Sequence, residues 1–135
     1  MDVEVVAAIL MEGGEVLCMQ RKEGRYDYLS YKYEFPGGKL EPGESREEAL
    51  ERELMEEMEL DVTITPGEFL TTVEHQYPDF RLVMHCYVHN MTDRTFHRKE
   101  HHSHQWVGVD RLETLDWAQA DWPVVERLSR LLSGK

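Results

Sequence analysis

Apolar and polar positions along the chain fall into short runs whose period changes. Val5 to Leu10 is an unbroken apolar run between polar flanks, which predicts a strand buried on both faces. Gly13-Gly14 follows, and then Val16-Leu17-Cys18-Met19, so the two runs predict a hairpin closed by a Gly-Gly turn. The pattern breaks from Lys22 to Lys32, a polar stretch holding Tyr26, Tyr28 and Tyr31 that reads as a loop. Glu34-Phe35-Pro36-Gly37-Gly38 is rich in turn formers. From Arg46 to about Met58 the period becomes helical, with Ala49, Leu50 and Leu54 as the core-facing stripe. Ser45-Arg46-Glu47-Glu48 gives that helix a capping box.

Strand-like runs recur near Phe69 to Glu74 and Leu82 to His89, parted by a turn at Pro78-Asp79. Trp106 to Val109 predicts one more short strand. Asp121-Trp122-Pro123 opens a second helix, with Pro tolerated in its first turn and Val124, Val125, Leu128, Leu131 and Leu132 on its apolar side. No repeat or linker interrupts the pattern. The expectation is one α/β domain over residues 1–135, with a mixed β-sheet between helices.

Composition narrows the function. The 135 residues are 41% hydrophobic and 31% charged, the balance of a globular chain with one core. A net charge of −12 repels a DNA backbone and argues against duplex nucleic acid as a partner. It does not forbid a small anionic substrate, because a bound cation reverses the local field. Met1-Asp2-Val3-Glu4 carries no basic stretch before the apolar run, so no signal peptide, membrane span or membrane partner is expected. Cys18 and Cys86 lie far apart in apolar runs and read as buried reduced thiols. A cytoplasmic protein, monomer or homodimer, is the expectation.

The candidate chemistry lies on the first helix. Glu53, Glu56 and Glu57 are spaced i, i+3, i+4, which puts them on one face. Three such acids suit a hard divalent cation carrying a polyphosphate. Taken alone, the same spacing more often marks a solvated helix face. The whole segment is more specific. Five residues separate Gly38 from Glu44, and seven more precede Arg52-Glu53-Leu54-Met55-Glu56-Glu57-Met58-Glu59-Leu60. This resembles the Nudix box, G-x5-E-x7-R-E-U-x-E-E-x-G-U with U apolar. One position departs: Glu59 stands where the family has Gly, at a helix end that favours left-handed backbone. A Glu there costs on the order of 1 kcal/mol unless the helix runs on.

The resemblance implies a Nudix α/β/α sandwich over residues 1–135, with the box at 38–60. It implies that Glu53, Glu56 and Glu57, with a backbone carbonyl of Gly37, hold Mg²⁺, for which Mn²⁺ substitutes. Arg52 would orient Glu53. Glu34-Phe35-Pro36-Gly37-Gly38-Lys39, Glu4 to Ile9 and Ala118 to Val124 are similar to the MutT branch and its CTP-hydrolysing relatives. Glu100, after Lys99, matches a loop carboxylate that approaches the metal there, and so joins Arg52, Glu53 and Glu56 as a catalytic candidate. As an acid in a polar loop it is equally a surface residue.

Two residues are candidates for substrate binding. Asp121 sits where MutT-like enzymes contact the base, and also where the last helix needs an N-cap. Taken as ionised it only accepts hydrogen bonds, which leans it toward the amino group of cytosine. Arg21, at the end of the second strand, could reach a phosphate, although such a position more often holds an ordinary exposed arginine. His97, His101, His102 and His104 read as a polar loop. The implied reaction is pyrophosphohydrolysis of a (deoxy)nucleoside triphosphate, of CTP type or oxidised as in 8-oxo-dGTP, to a monophosphate and pyrophosphate. The alternatives are ADP-ribose or a dinucleoside polyphosphate as substrate, since Tyr77 and Pro78 lie near the spacing that marks such families, or an inactive nucleotide-binding domain.

Overall fold

The computed structural model describes residues 2–133, with backbone alone for 132 and 133. Its elements follow the sequence closely. β1 (Asp2–Glu12) and β2 (Glu15–Gln20) form the expected hairpin, with Gly13 and Gly14 both at positive φ in its turn. Two short strands follow, β3 (Tyr33–Glu34) and β4 (Gly37–Lys39). Helix α1 spans Arg46–Met58, and β5 (Phe69–Gln76), β6 (Arg81–Asn90) and β7 (Ser103–Gly108) come next. A 3-10 turn at Gln119–Asp121 leads into α2 (Trp122–Ser133).

The strands form one mixed sheet in the order β3-β2-β1-β6-β5, with β4 also pairing β1 and β7 pairing β2. β1 and β6 run parallel from Asp2↔Arg81 to Met11↔Asn90, and the other pairings are antiparallel. Successive residues of β1 point to opposite faces. Val6, Ala8 and Leu10 meet Leu50, Leu54 and Met58 of α1. Ala7 and Ile9 face Trp117 and the Val124, Val125 and Leu128 stripe of α2. That is the α/β/α sandwich. Both cysteines are buried and unpaired. Among the described residues no helix is long and apolar enough to cross a membrane.

One expectation needs correction. Gly37-Gly38 is not a turn: it is strand β4, in register with β1 at Ala7↔Gly37 and Val6↔Gly38. Neither glycine has positive φ. The reason for glycine is space, since a Cβ on Gly37 would stand 1.9 Å from the Val6 carbonyl oxygen. These residues are bare because two backbones approach there.

Helix α1 ends at Glu59, which takes the left-handed conformation (φ 52°, ψ 37°), and its N–H donates to the carbonyls of Leu54 and Met55. The helix does not run on. The chain adopts the geometry a glycine would take and accepts the strain of a Cβ.

Candidate active site

Arg52 organises the acids of α1. Its Nε donates to Glu44 Oε2 at 2.6 Å and its Nη2 to Glu44 Oε1 at 3.0 Å. Its Nη1 donates to Glu53 Oε2 (3.0 Å) and Glu56 Oε1 (3.2 Å), and Nη2 also reaches the Lys39 carbonyl (3.0 Å). The guanidinium thus ties the loop acid Glu44, strand β4 and two helix acids into one unit. Hydrogen bonding from Arg52 holds Glu44 below the usual carboxylate range.

Glu53 lies against β4. A Cβ on Gly38 would fall 2.2 Å from its carboxyl carbon, so only glycine at 38 leaves room for this carboxylate. Glu57 lies one turn on. Burial, then the charge of Glu53, pushes Glu57 up to about 7, with His101 acting in the opposite direction.

The three helix acids are not gathered evenly. Glu56 is 59% exposed at its side chain and turned to Arg52. Among the described residues no three acidic, histidine or cysteine side chains converge on one point as a ready metal cage. The donor set nevertheless fits Mg²⁺. Two carboxylates crowd each other beside the bare Gly37-Gly38 backbone, and this cation prefers one or two carboxylates, completing its shell with water and phosphate.

Glu57 opens onto a cavity of about 490 Å³, also lined by Gly37, Gly38, Arg21, Glu34, Phe35, Tyr77, Glu100, His101 and Asp121. Five candidates from the sequence therefore meet on one space: Gly37, Glu57, Glu100, Arg21 and Asp121. Arg52, Glu53 and Glu56 stand behind it on α1.

Asp121 is 4% exposed, and its Oδ1 has no hydrogen-bond partner. Burial, reinforced by the nearby Glu34 charge, raises it well above the usual range, although the Phe35 N–H acts against this. The sequence treats Asp121 as an ionised acceptor; burial instead favours the protonated form, which both donates and accepts. Its segment is set by β3. Tyr33 accepts from the Ala118 N–H and donates its own to Asp116. Tyr77, at the end of β5, accepts the Ala120 N–H at its hydroxyl.

Arg21 does not point freely at solvent. Its Nη1 donates to Glu34 Oε1 at 2.9 Å, and its Nε is buried without a partner. The other oxygen of Glu34 meets His101 Nε2 at 2.8 Å. Burial alone would raise Glu34, but the hydrogen bond to His101 and the Arg21 charge outweigh it and hold it low.

Sequence reasoning missed Glu34 and His101 as members of this wall. His101 read as one of four polar-loop histidines, yet its side chain is 8% exposed and engaged with Glu34. The available signal was Glu34 itself, an acid set between Tyr33 and Phe35 in an otherwise apolar stretch. By contrast, His104 pairs with Arg98 and packs edge-on against Phe96, away from the cavity lining.

The NUDIX domain model matches residues 1–128. The chain is 33% identical to the CTP pyrophosphohydrolase of Escherichia coli over 98% of this chain and 96% of that protein. It is 32% identical to the 8-oxo-dGTP diphosphatase of the same organism over 93% and 95%. Among solved structures, the E. coli ORF135 protein superposes with a TM-score of 0.79 at 30% identity, over 98% of this chain and 92% of that one. With Gly38 and Glu57 of the box on the cavity, the other box acids tied together by Arg52, and the match running through nearly the whole length, the chain belongs to the NUDIX domain family and is a Nudix-type hydrolase.

Proposed function

We propose that the protein hydrolyses (deoxy)nucleoside triphosphates to the monophosphate and pyrophosphate, and that it selects bases presenting a hydrogen-bond donor beside an acceptor. One observation carries this reading. The helix acid Glu57 and the buried acid Asp121 open onto the same cavity, and the charge of Glu34 acts on both. Phosphate chemistry and base recognition can therefore act on one small molecule.

In the reaction, a water oxygen bonds to phosphorus, the bridging P–O bond breaks, and pyrophosphate leaves. Glu53, Glu56 and Glu57, with the Gly37 carbonyl, would hold Mg²⁺ or Mn²⁺, which neutralises phosphate charge and lowers the pKa of water. Arg52 orients Glu53 and Glu56. Glu100, on the cavity wall, would take the proton of the attacking water, and Glu53 is the other carboxylate suited to that step. Arg21, braced by Glu34, presents positive charge to the phosphates.

In its protonated form, which burial favours, Asp121 offers one acceptor and one donor. Cytosine presents an amino donor next to the N3 acceptor. An 8-oxoguanine presents N7–H next to O6, whereas guanine has two acceptors on that edge. The same acid therefore suits cytosine and 8-oxoguanine, and it discriminates against guanine where the N7/O6 edge faces it, since the Watson–Crick edge of guanine also sets a donor, N1–H, beside O6. Two relatives, the CTP pyrophosphohydrolase and the 8-oxo-dGTP diphosphatase of E. coli, bear names matching those two bases.

The test is a panel with Mg²⁺: CTP, dCTP, 5-methyl-dCTP, dGTP, 8-oxo-dGTP, ADP-ribose and a diadenosine polyphosphate, with products identified. Monophosphate plus pyrophosphate from a triphosphate, abolished in Glu56→Gln and Glu57→Gln, supports the reading. Turnover of ADP-ribose or the dinucleotide alone would keep the family chemistry and replace the substrate. Asp121→Asn keeps one donor and one acceptor, so the ranking of bases should survive, while Asp121→Leu should level it. A ranking reordered by Asn would mean that Asp121 works as a charged acceptor.

A further inference from the structure

The segment between β6 and β7 carries Glu100 and is pinned on both sides of it. On the N-terminal side, Lys99 Nζ lies 2.9 Å from Glu59 Oε2. Two residues earlier the His97 N–H donates to the Met58 carbonyl at 2.9 Å, seating the segment on the C-terminal end of α1. On the C-terminal side, His101 Nε2 meets Glu34 Oε2 at 2.8 Å. The His102 N–H then donates to the Gln20 carbonyl at 2.8 Å. Glu100 stands between these attachments, on the lining of the cavity.

Glu59 is the position where this chain departs from the box. It keeps the left-handed backbone for which glycine is favoured, so it bears a conformational cost that glycine would avoid. Its side chain is 55% exposed and that of Lys99 36%, and an ion pair so exposed adds little to stability. What the pair fixes is the position of the residue next to Lys99.

We propose that Glu59 and His101 are positioning residues, whose contacts with Lys99 and Glu34 clamp the segment on both sides of Glu100 and hold that carboxylate on the substrate cavity. The proposal rests on the hydrolase reading above, in which Glu100 serves the reaction. It gives the departure from glycine a role: the side chain at the end of the box helix reaches out and holds the loop.

Hydrogen exchange of the metal-free protein tests the clamp without reference to activity. Asn tolerates the left-handed conformation but is too short to reach Lys99, so Glu59→Asn isolates the side-chain contact. In Glu59→Asn and in His101→Ala, amides at 97–102 should exchange about fivefold faster, with the sheet amides unchanged. Steady-state kinetics form the second arm. Glu59→Asn and Lys99→Glu should each lower kcat about fivefold with KM unchanged, and Glu59→Lys combined with Lys99→Glu should restore it. In a Glu100→Gln background, Glu59→Asn should have no further effect. Unchanged exchange in both variants, an unchanged kcat in Glu59→Asn, or failure of the charge swap to restore rate would overturn the clamp. If the wild type hydrolyses no nucleotide, the functional reading fails by itself, and the exchange arm still reports whether the segment is clamped.

Discussion

Glu57 holds its proton to about pH 7 in the folded chain, whereas the unfolded chain releases it near 4.5. Between those values the folded state binds more protons, so metal-free stability falls as pH rises from about 4.5 to 7. Glu57 is only partly buried, so solvent screening reduces the penalty to on the order of 1–2 kcal/mol above pH 7. Glu57→Gln should remove it. The metal-free variant is expected to melt higher than wild type at pH 8 and to match it at pH 4. Mg²⁺ should raise the melting temperature of the wild type at pH 8 and leave the variant unmoved. Equal melting of the two metal-free proteins at pH 8 would mean that the Glu53–Glu57 crowding is already relieved by some other group. The same crowding predicts that Mg²⁺ added at pH 6 expels a proton, read as a dependence of binding heat on buffer.

At the scale of elements, α1 depends on local signals. Ser45 Oγ accepts from the Glu48 N–H, and Glu48 Oε1 accepts from the Ser45 N–H, both at 3.1 Å. Ser45→Ala should cost about 1 kcal/mol by denaturant titration and leave kcat/KM unchanged well below the transition. Such closeness in sequence is why α1 was legible from Arg46 to Met58, and why the hairpin at Gly13-Gly14 was too. Local reading failed where the partner is distant. Gly37-Gly38 looked like a turn because its reason for being glycine, the Val6 carbonyl, lies on another strand. His101 looked like a surface histidine because Glu34 reaches it through the β2–β3 and β2–β7 pairings. The acids of the box could be read as a set from their spacing, but not that Glu56 would turn to Arg52 while Glu53 and Glu57 press together. Nor could the upward shift of Asp121 be read, since it follows from burial.

Across the whole molecule, the sheet joins pieces far apart in sequence. The box residues end at Leu60, but the strand that supports β4 is completed by β6. A fragment of residues 1–80 keeps every box residue and lacks that support. It is expected to show no cooperative melting by circular dichroism, and a cooperative transition would show that the N-terminal part folds alone. The net charge of −12 has its own consequence. An anionic substrate approaches against the overall field, so added monovalent salt should help encounter rather than hinder it.

The parallel register of β1 with β6 also sets a timetable. During synthesis at the ribosome, β1 emerges well ahead of its longest partner, which begins at Arg81. Until then an apolar strand has only the hairpin partner β2 and the three residues of β4 to cover its edges. The nascent chain therefore leaves this apolar stretch partly uncovered until β6 is made, a window in which a chaperone would find its binding site in Val5 to Leu10.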